Sequence, residues 1–306
     1  MKKFLLPLFL LAFALVLAAC GSDEADTTSE KSADSPETIT YESENGPIEV
    51  PANPQRVIIL STYGGDAVAL GAPLVGIDSW SKSNPNFQDA LEGVEEVSEN
   101  DLEKILELDP DLIIGSSTMN NIDKLNEIAP TVTYTYGKIG YLKQHLEIGK
   151  ALNKEKEAQA WIDDFQKRAK EAGEEIHAKI GEDATVSVIE NFDKQIYVFG
   201  DNWGRGTEIL YQEMGLNMPE KVKEMTENDG YYMLSQEVLP EYAGDYLIFS
   251  KDGTQDNSFQ ETELYKNMPA VKNGNVFEAE AQAFYFNDAR TLDFQLDFFI
   301  EHFLNK

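Results

Sequence analysis

Between Lys154 and Ile180 the chain runs 27 residues without a proline and with a single glycine, Gly173. Trp161, Phe165, Ala169, Ala172 and Ile176 recur there at steps of three and four. That spacing lines them up on one stripe of a helix, with Lys, Glu and Gln around the rest. The segment predicts a rod ~40 Å long, longer than most helices inside a domain. From Gly140 to Ile180 no strand pattern occurs, while short apolar runs alternate with helical patterns on either side. The expected fold is α/β: two Rossmann-like lobes joined by a single long helix, with a cleft between them where a small ligand would sit.

Strands are expected at Arg56–Leu60, Leu74–Ile77, Leu112–Gly115 and Thr131–Tyr136 in the first lobe. In the second they are expected at Ala184–Ile189, Gln195–Phe199, Tyr246–Ser250 and Val276–Ala279. Helical patterns cover Asp66–Leu70, Asp101–Leu108, Glu208–Met214 and Ala289–Leu304, the last with Leu292, Leu296, Phe299 and Ile300 on one face. Asp109-Pro110 closes the second of these, because a residue before proline avoids the helical region.

The N-terminus reads as an address. Met1-Lys2-Lys3 precedes an apolar run from Phe4 to Ala19, too short for a spanning helix, then small residues end at the only cysteine, Cys20. Leu17-Ala18-Ala19-Cys20 resembles the lipobox of bacterial lipoproteins, which implies lipidation of Cys20 and a protein held on the extracytoplasmic face of the cell membrane. The following stretch, rich in Ser, Asp, Glu and Thr, lacks the apolar surface to offset its ordering entropy and reads as a tether. The expected division is 1–19 signal peptide, 20–38 lipidated cysteine and acidic tether, 39–152 first lobe, 153–181 linking helix and 182–306 second lobe.

Of the 306 residues, 25 are Lys or Arg and 55 Asp or Glu, a formal charge of −30. Such a field repels nucleic-acid phosphates and anionic lipid surfaces. One cysteine permits no internal disulfide and no Cys-built zinc or iron–sulfur site. No Gly-x-Ser-x-Gly elbow and no His-Glu-x-x-His is present. His145, His177 and His302 fall in helical patterns with charged neighbours and are expected on solvated helix faces. No catalytic residue, metal ligand or protein-bound cofactor is expected.

Gly200-Asp-Asn-Trp203-Gly-Arg205-Gly-Thr207 is the densest oddity. Three glycines at Gly200, Gly204 and Gly206 imply tight turning or close approach. The lysine of a phosphate-binding loop is missing. One plain reading is a turn in which Thr207 caps the next helix. Trp203 beside Arg205, one of only four arginines, also suits a ligand grip: a flat apolar wall and a fork of donors for oxygen acceptors. Tyr197 lies just upstream, Tyr285 and Phe286 come from a late turn, and Tyr63, Tyr134 and Tyr136 follow or end first-lobe strands. These aromatics are expected to face one another across the cleft.

Pro51-x-x-Pro54-x-Arg56-Val57-Ile58, then Leu70-Gly71-x-Pro73-x-Val75-Gly76, and Leu102-Glu103-Lys104-Ile105-Leu106-x-Leu108-x-Pro110-Asp111-Leu112-Ile113 resemble the iron-complex-binding proteins of ABC importers. Within them, 200–207 is similar to the loop of the ferric-hydroxamate binders. The resemblance implies ligand contacts at Trp203, Arg205, Tyr197, Tyr136 and Tyr285, with Phe286 where a further aromatic is expected. It also implies two carboxylates, Glu103 and Glu237, that meet arginines of the permease. Both also stand at expected helix starts, where the helix dipole favours a carboxylate. The implied function is capture, by a monomer, of a ferric hydroxamate siderophore as cargo. Charge supports that ligand class independently: an anionic tris-catecholate or citrate complex needs a basic pocket, whereas the loop offers one arginine. The alternatives are another iron complex, haem, cobalamin, direct Fe(III) capture by Tyr231-Tyr232, or an exported siderophore-processing enzyme. Tyr231-Tyr232 is otherwise expected to line the approach to Glu237.

Overall fold

The computed structural model describes residues 37–305. The expected leader, Cys20 and the expected tether up to residue 36 lie outside the described residues, so nothing structural bears on the lipobox reading. Twelve strands form a hairpin and two five-stranded sheets. The hairpin is β1 (Thr38–Ser43) and β2 (Gly46–Pro51), antiparallel, with Tyr41 and Val50 buried against the first lobe. It was not expected from the sequence, and β1 begins inside the expected tether.

The first-lobe sheet holds β3 (Val57–Leu60), β4 (Leu74–Ile77), β5 (Glu95–Glu96), β6 (Leu112–Ser116) and β7 (Thr131–Tyr134), in the order β5-β4-β3-β6-β7 and parallel throughout. All four residues of β3, and Leu112–Gly115 of β6, are buried. That explains their unbroken apolar runs, since a parallel sheet is covered on both faces. The second-lobe sheet holds β8 (Val186–Phe192), β9 (Gln195–Phe199), β10 (Tyr231–Leu234), β11 (Tyr246–Lys251) and β12 (Val276–Glu280), in the order β10-β9-β8-β11-β12. Here β8, β11 and β12 run parallel, while β9 and β10 continue the sheet antiparallel.

The linking helix spans Glu155–Ile180 and buries Ile162, Phe165, Ala169, Ala172, Gly173 and Ile176. Gly173 sits where an added Cβ would lie 2.5 Å from the Met214 carbonyl oxygen, so only glycine lets the helix come this close to the segment Glu208–Glu213. That segment is wound as a π-helix, and the Thr207 side chain does not cap it. The Thr207 hydroxyl instead donates to the Gly204 carbonyl. Among the described residues no helix is long and apolar enough to cross a membrane.

The lobes meet on a buried polar floor. The closing helix Ala289–Leu304 points its N-terminus at the first-lobe helix Gly64–Ala69, and the Ala289 amide donates to Asp66 Oδ1 at 3.0 Å. His145 Nδ1 lies 2.9 Å from that same oxygen. His145 is only 1% exposed and its ring rests against Trp161, so the expectation of a solvated face fails there. Its neighbours along the helix are charged, but its own face turns inward. His177 and His302 are partly buried and bond to backbone carbonyls. Asp288 caps the closing helix by accepting from the Thr291 amide. Burial first, and the nearby Asp66 second, push the Asp288 carboxyl up to about 8.

Candidate functional site

The first-lobe segments that bear on the cleft leave the C-terminal ends of parallel strands, where open α/β sheets place ligands. After β4, Asp78 Oδ1 accepts from the amides of Trp80 and Ser81 and so starts a short helix, Ser79–Ser83. That cap presents Trp80, 51% exposed, to the cleft. Tyr136 follows β7 and is 53% exposed. From the second lobe come the loop after β9 and the turn Tyr285-Phe286-Asn287. A cavity of about 300 Å³ between them is lined by Thr62, Trp80, Tyr136, Trp203, Arg205, Tyr285, Phe286 and Asn287.

Three ring contacts join the lobes here: Trp80 to Tyr285, centroids 5.6 Å apart, Tyr136 to Trp203, 6.2 Å, and Phe87 to Phe286, 6.4 Å. Tyr231 packs on Trp203 at 4.8 Å, and Phe192 stands edge-on to Tyr285. Trp80, Tyr136, Phe192 and Tyr231 are all among the exposed large apolar side chains, and such a concentration in one concave place marks a binding surface. Thr62 also lines two adjoining cavities. One, of about 570 Å³, lies over the first lobe and includes Asp78, Glu96, Glu99 and Asp101. The other, of about 220 Å³, includes Asp66, Lys138 and Glu208. Burial holds the Glu208 carboxyl above its usual range.

The loop 200–207 is folded against its neighbours, and its glycines are the reason. Gly204, Arg205 and Gly206 all have positive φ, at 71°, 58° and 80°. A Cβ on Gly204 would meet the Tyr285 carbonyl oxygen at 2.4 Å, and one on Gly206 would meet the Phe299 ring at 2.5 Å. Glu208, 1% exposed, ties the loop down by accepting from the Gly204 amide at 3.0 Å and from Asn287 Nδ2 at 2.7 Å.

The guanidinium of Arg205 is not a free fork. Its Nε donates to Glu190 Oε2 at 3.1 Å and its Nη2 to Glu190 Oε1 at 2.9 Å. Its Nη1 donates to the carbonyls of Trp203 and Tyr285. Four of the five N–H donors of an arginine are thereby engaged within the protein. The group lies between the rings of Phe199 and Tyr285, 4.9 Å from each centroid. Glu190 sits mid-sheet on β8, opposite Tyr197 of β9 and Ser250 of β11. The Ser250 hydroxyl donates to Glu190 Oε2 at 2.6 Å. Burial, followed by the Glu190 charge, pushes the Tyr285 phenol up to about 12, so that hydroxyl stays protonated at neutral pH.

The expected residues divide accordingly. Trp203, Arg205, Tyr136 and Tyr285 converge on the cavity, and Phe286 borders it while stacking on Phe87 in the first-lobe core. Tyr197 does not line the cavity: it stands behind Tyr231, 6.0 Å away. Tyr134 does not face the cleft either, being 1% exposed within the first-lobe core, while Tyr63, 4% exposed, borders the smaller adjoining cavity with Asp66 and Glu208. Tyr231 and Tyr232 do not act as a pair, because neighbours on a strand point to opposite faces: Tyr231 contacts Trp203, and Tyr232 stacks on Tyr242. Glu103 and Glu237 are exposed, each in the first turn of a short helical segment, Leu102–Glu107 and Gln236–Glu241. A hydrogen bond from Ser235 holds the Glu237 carboxyl below its usual range.

Trp80 and Glu190 were missed. The signal for Trp80 was a capping Asp two residues earlier at a strand end. For Glu190 it was a lone carboxylate directly after the run Val186–Ile189, still within the strand, which burial obliges to find a cation. Among the described residues no group of three His, Cys, Asp or Glu is placed to hold a metal ion.

Comparison with known proteins gives a consistent picture. A family model described as periplasmic binding protein matches residues 57–283. The chain is 36% identical to the iron(3+)-hydroxamate-binding protein FhuD of Bacillus subtilis, over 98% of this chain and 97% of that one. It is 34% identical to the iron(3+)-hydroxamate-binding protein YxeB of the same organism, over 97% and 95%. The structure of FhuD2 from Staphylococcus aureus with bound ferrioxamine B superposes with a TM-score of 0.78 at 36% identity, covering 82% of this chain and 99% of that one.

Proposed function

The chain belongs to the family of periplasmic binding proteins, and on that footing we propose that it captures ferric hydroxamate siderophores of the ferrichrome and ferrioxamine kind and delivers them to an ABC importer. The cleft carries this reading: five aromatic side chains from two lobes around one arginine. A ferric trihydroxamate presents aliphatic arms that suit Trp80, Tyr136, Trp203 and Tyr285, and carbonyl and N–O oxygens that accept the remaining N–H of Arg205. The relatives named for hydroxamate binding, and the neighbour holding ferrioxamine B, support it. The iron is cargo, held by the siderophore, and the protein makes and breaks no bonds.

In this reading the protein works as a monomer held at the outer face of the cell membrane by lipid on Cys20. Glu103 and Glu237 are the contacts to the permease. Both are exposed, one on each lobe, and Leu106, 63% exposed, stands one turn beyond Glu103 as an apolar companion.

Tryptophan fluorescence of the leader-free protein, titrated with ferrioxamine B, ferrichrome and ferric enterobactin, tests the ligand class. Saturable quenching by both hydroxamates below micromolar concentration, with little from the catecholate, is expected. Quenching by the catecholate alone overturns the hydroxamate assignment, and silence with all three redirects the search to haem, cobalamin and bare iron. For docking, Glu103→Ala with Glu237→Ala is expected to leave affinity unchanged and stop iron uptake by cells. A double variant that loses affinity removes those residues from the docking role.

A further inference from the structure

We propose that Glu190 sets the charge selectivity of the cleft: by cancelling the charge of Arg205 it makes the site accept neutral and cationic ferric complexes and reject anionic ones. This deepens the hydroxamate reading and rests on it.

An arginine in a ligand cleft ordinarily advertises a binding place for anions. Here its Nε and Nη2 are turned onto both oxygens of one carboxylate. That carboxylate is 1% exposed, so no solvent competes with the guanidinium for it. The pair is neutral as a unit, and an arriving ligand meets a polar edge rather than a positive charge. Ser250, fully buried, adds a third hydrogen bond that keeps the carboxylate aimed at Arg205.

Among the described residues that line these three cavities, only one further Lys or Arg occurs. The other cation lining the adjoining cavities, Lys138, is 3.0 Å from Glu44. The cavity over the first lobe is lined by four carboxylates and no lysine or arginine. An anionic complex entering this cleft would lose hydration without gaining a compensating charge, and unpaired burial of charge is costly. Aromatic faces, negative at their centres, favour cations for the same reason.

Glu190 acts through Arg205, so the test reads selectivity and not affinity alone. Wild type, Glu190→Gln, Arg205→Gln and the double variant would each be titrated with ferrioxamine B (cationic), ferrichrome (neutral) and ferric enterobactin (anionic). Glu190→Gln exposes the arginine's charge and is expected to shift the affinity ratio toward the anionic complex by about tenfold or more, given how slowly a Coulomb energy decays at a partly buried site. Arg205→Gln is expected to shift it the opposite way, which serves should Glu190→Gln fail to fold. The double variant, with the same net charge as wild type, is expected to return to the wild-type ratio. Equal weakening toward all three complexes in the single variants would reduce Glu190 to a structural support and overturn the proposal. A wild type that binds neither hydroxamate overturns the hydroxamate reading and this one with it, an outcome distinct from an unmoved ratio in a protein that binds them.

Discussion

On the first-lobe side of the cleft, Trp80 and Tyr136 stand about half exposed, on a short capped helix and on a strand extension. On the second-lobe side, Arg205 is ion-paired to a buried glutamate, sandwiched between two rings and flanked by glycines that admit no side chain. The first wall leaves its two aromatics half in solvent, each touching one ring of the opposite wall. The second is preorganised, with its ordering cost met on folding instead of on binding. One wall is open to solvent and the other is locked within the protein.

That contrast breaks most easily at Arg205. Arg205→Ala strands Glu190 as a buried unpaired carboxylate, and losing one partner of such a pair costs about 3–5 kcal/mol. Chemical denaturation is expected to show that loss, with ligand affinity falling as well. A stability within about 0.5 kcal/mol of wild type would mean that the second wall is not built on this pair.

The floor that joins the walls makes an effect of comparable size, spread over pH. With the Asp288 carboxyl raised to about 8, the native state keeps a proton that the unfolded chain releases near its ordinary carboxylate pKa of about 4. Protons bound then favour the native side, so stability is fullest at low pH within this window and falls as pH rises from about 4 to about 8. The slope is about 1.4 kcal/mol per pH unit for one proton. Asp288→Asn keeps the capping oxygen toward Thr291 and removes the titration. Melting temperatures across that range are expected to decline in wild type relative to the variant, and parallel curves would exclude Asp288 as the titrating group.

The smallest effect is the sharpest discriminator. Trp80→Ala is expected to weaken hydroxamate binding by about 1–2 kcal/mol, by lost aromatic contact. Its unfolding free energy should change by less than about 0.5 kcal/mol, because the side chain is half exposed. A large stability loss with unchanged affinity would reverse the assignment of roles to the two walls.

Much of this was legible in the sequence where the governing interactions are local. A proline-free stretch with period 3.6 forms the linking helix wherever it sits, and unbroken apolar runs such as Val57–Leu60 and Leu112–Gly115 mark strands covered on both faces. The glycines around Trp203 and Arg205 announced close approach, and Gly204 and Gly206 meet Tyr285 and Phe299. The hairpin β1–β2 escaped because its Ser, Glu and Thr continue the composition of the tether. Tyr134 misled because a strand-end tyrosine looks the same whether its ring turns to the cleft or to the core.

What composition, periodicity and turn chemistry determined, then, was the two-lobed α/β plan, the rigid helix between the lobes and the loop that carries Trp203 and Arg205. Only the tertiary structure decided that Arg205 is spent on Glu190, that Trp80 joins the opposite wall, and that Asp66 is met by His145 and by the amide of Ala289, 79 and 223 residues away. The reason is physical: backbone preference acts over a few residues, whereas a buried charge takes whichever partner the packing brings within 3 Å.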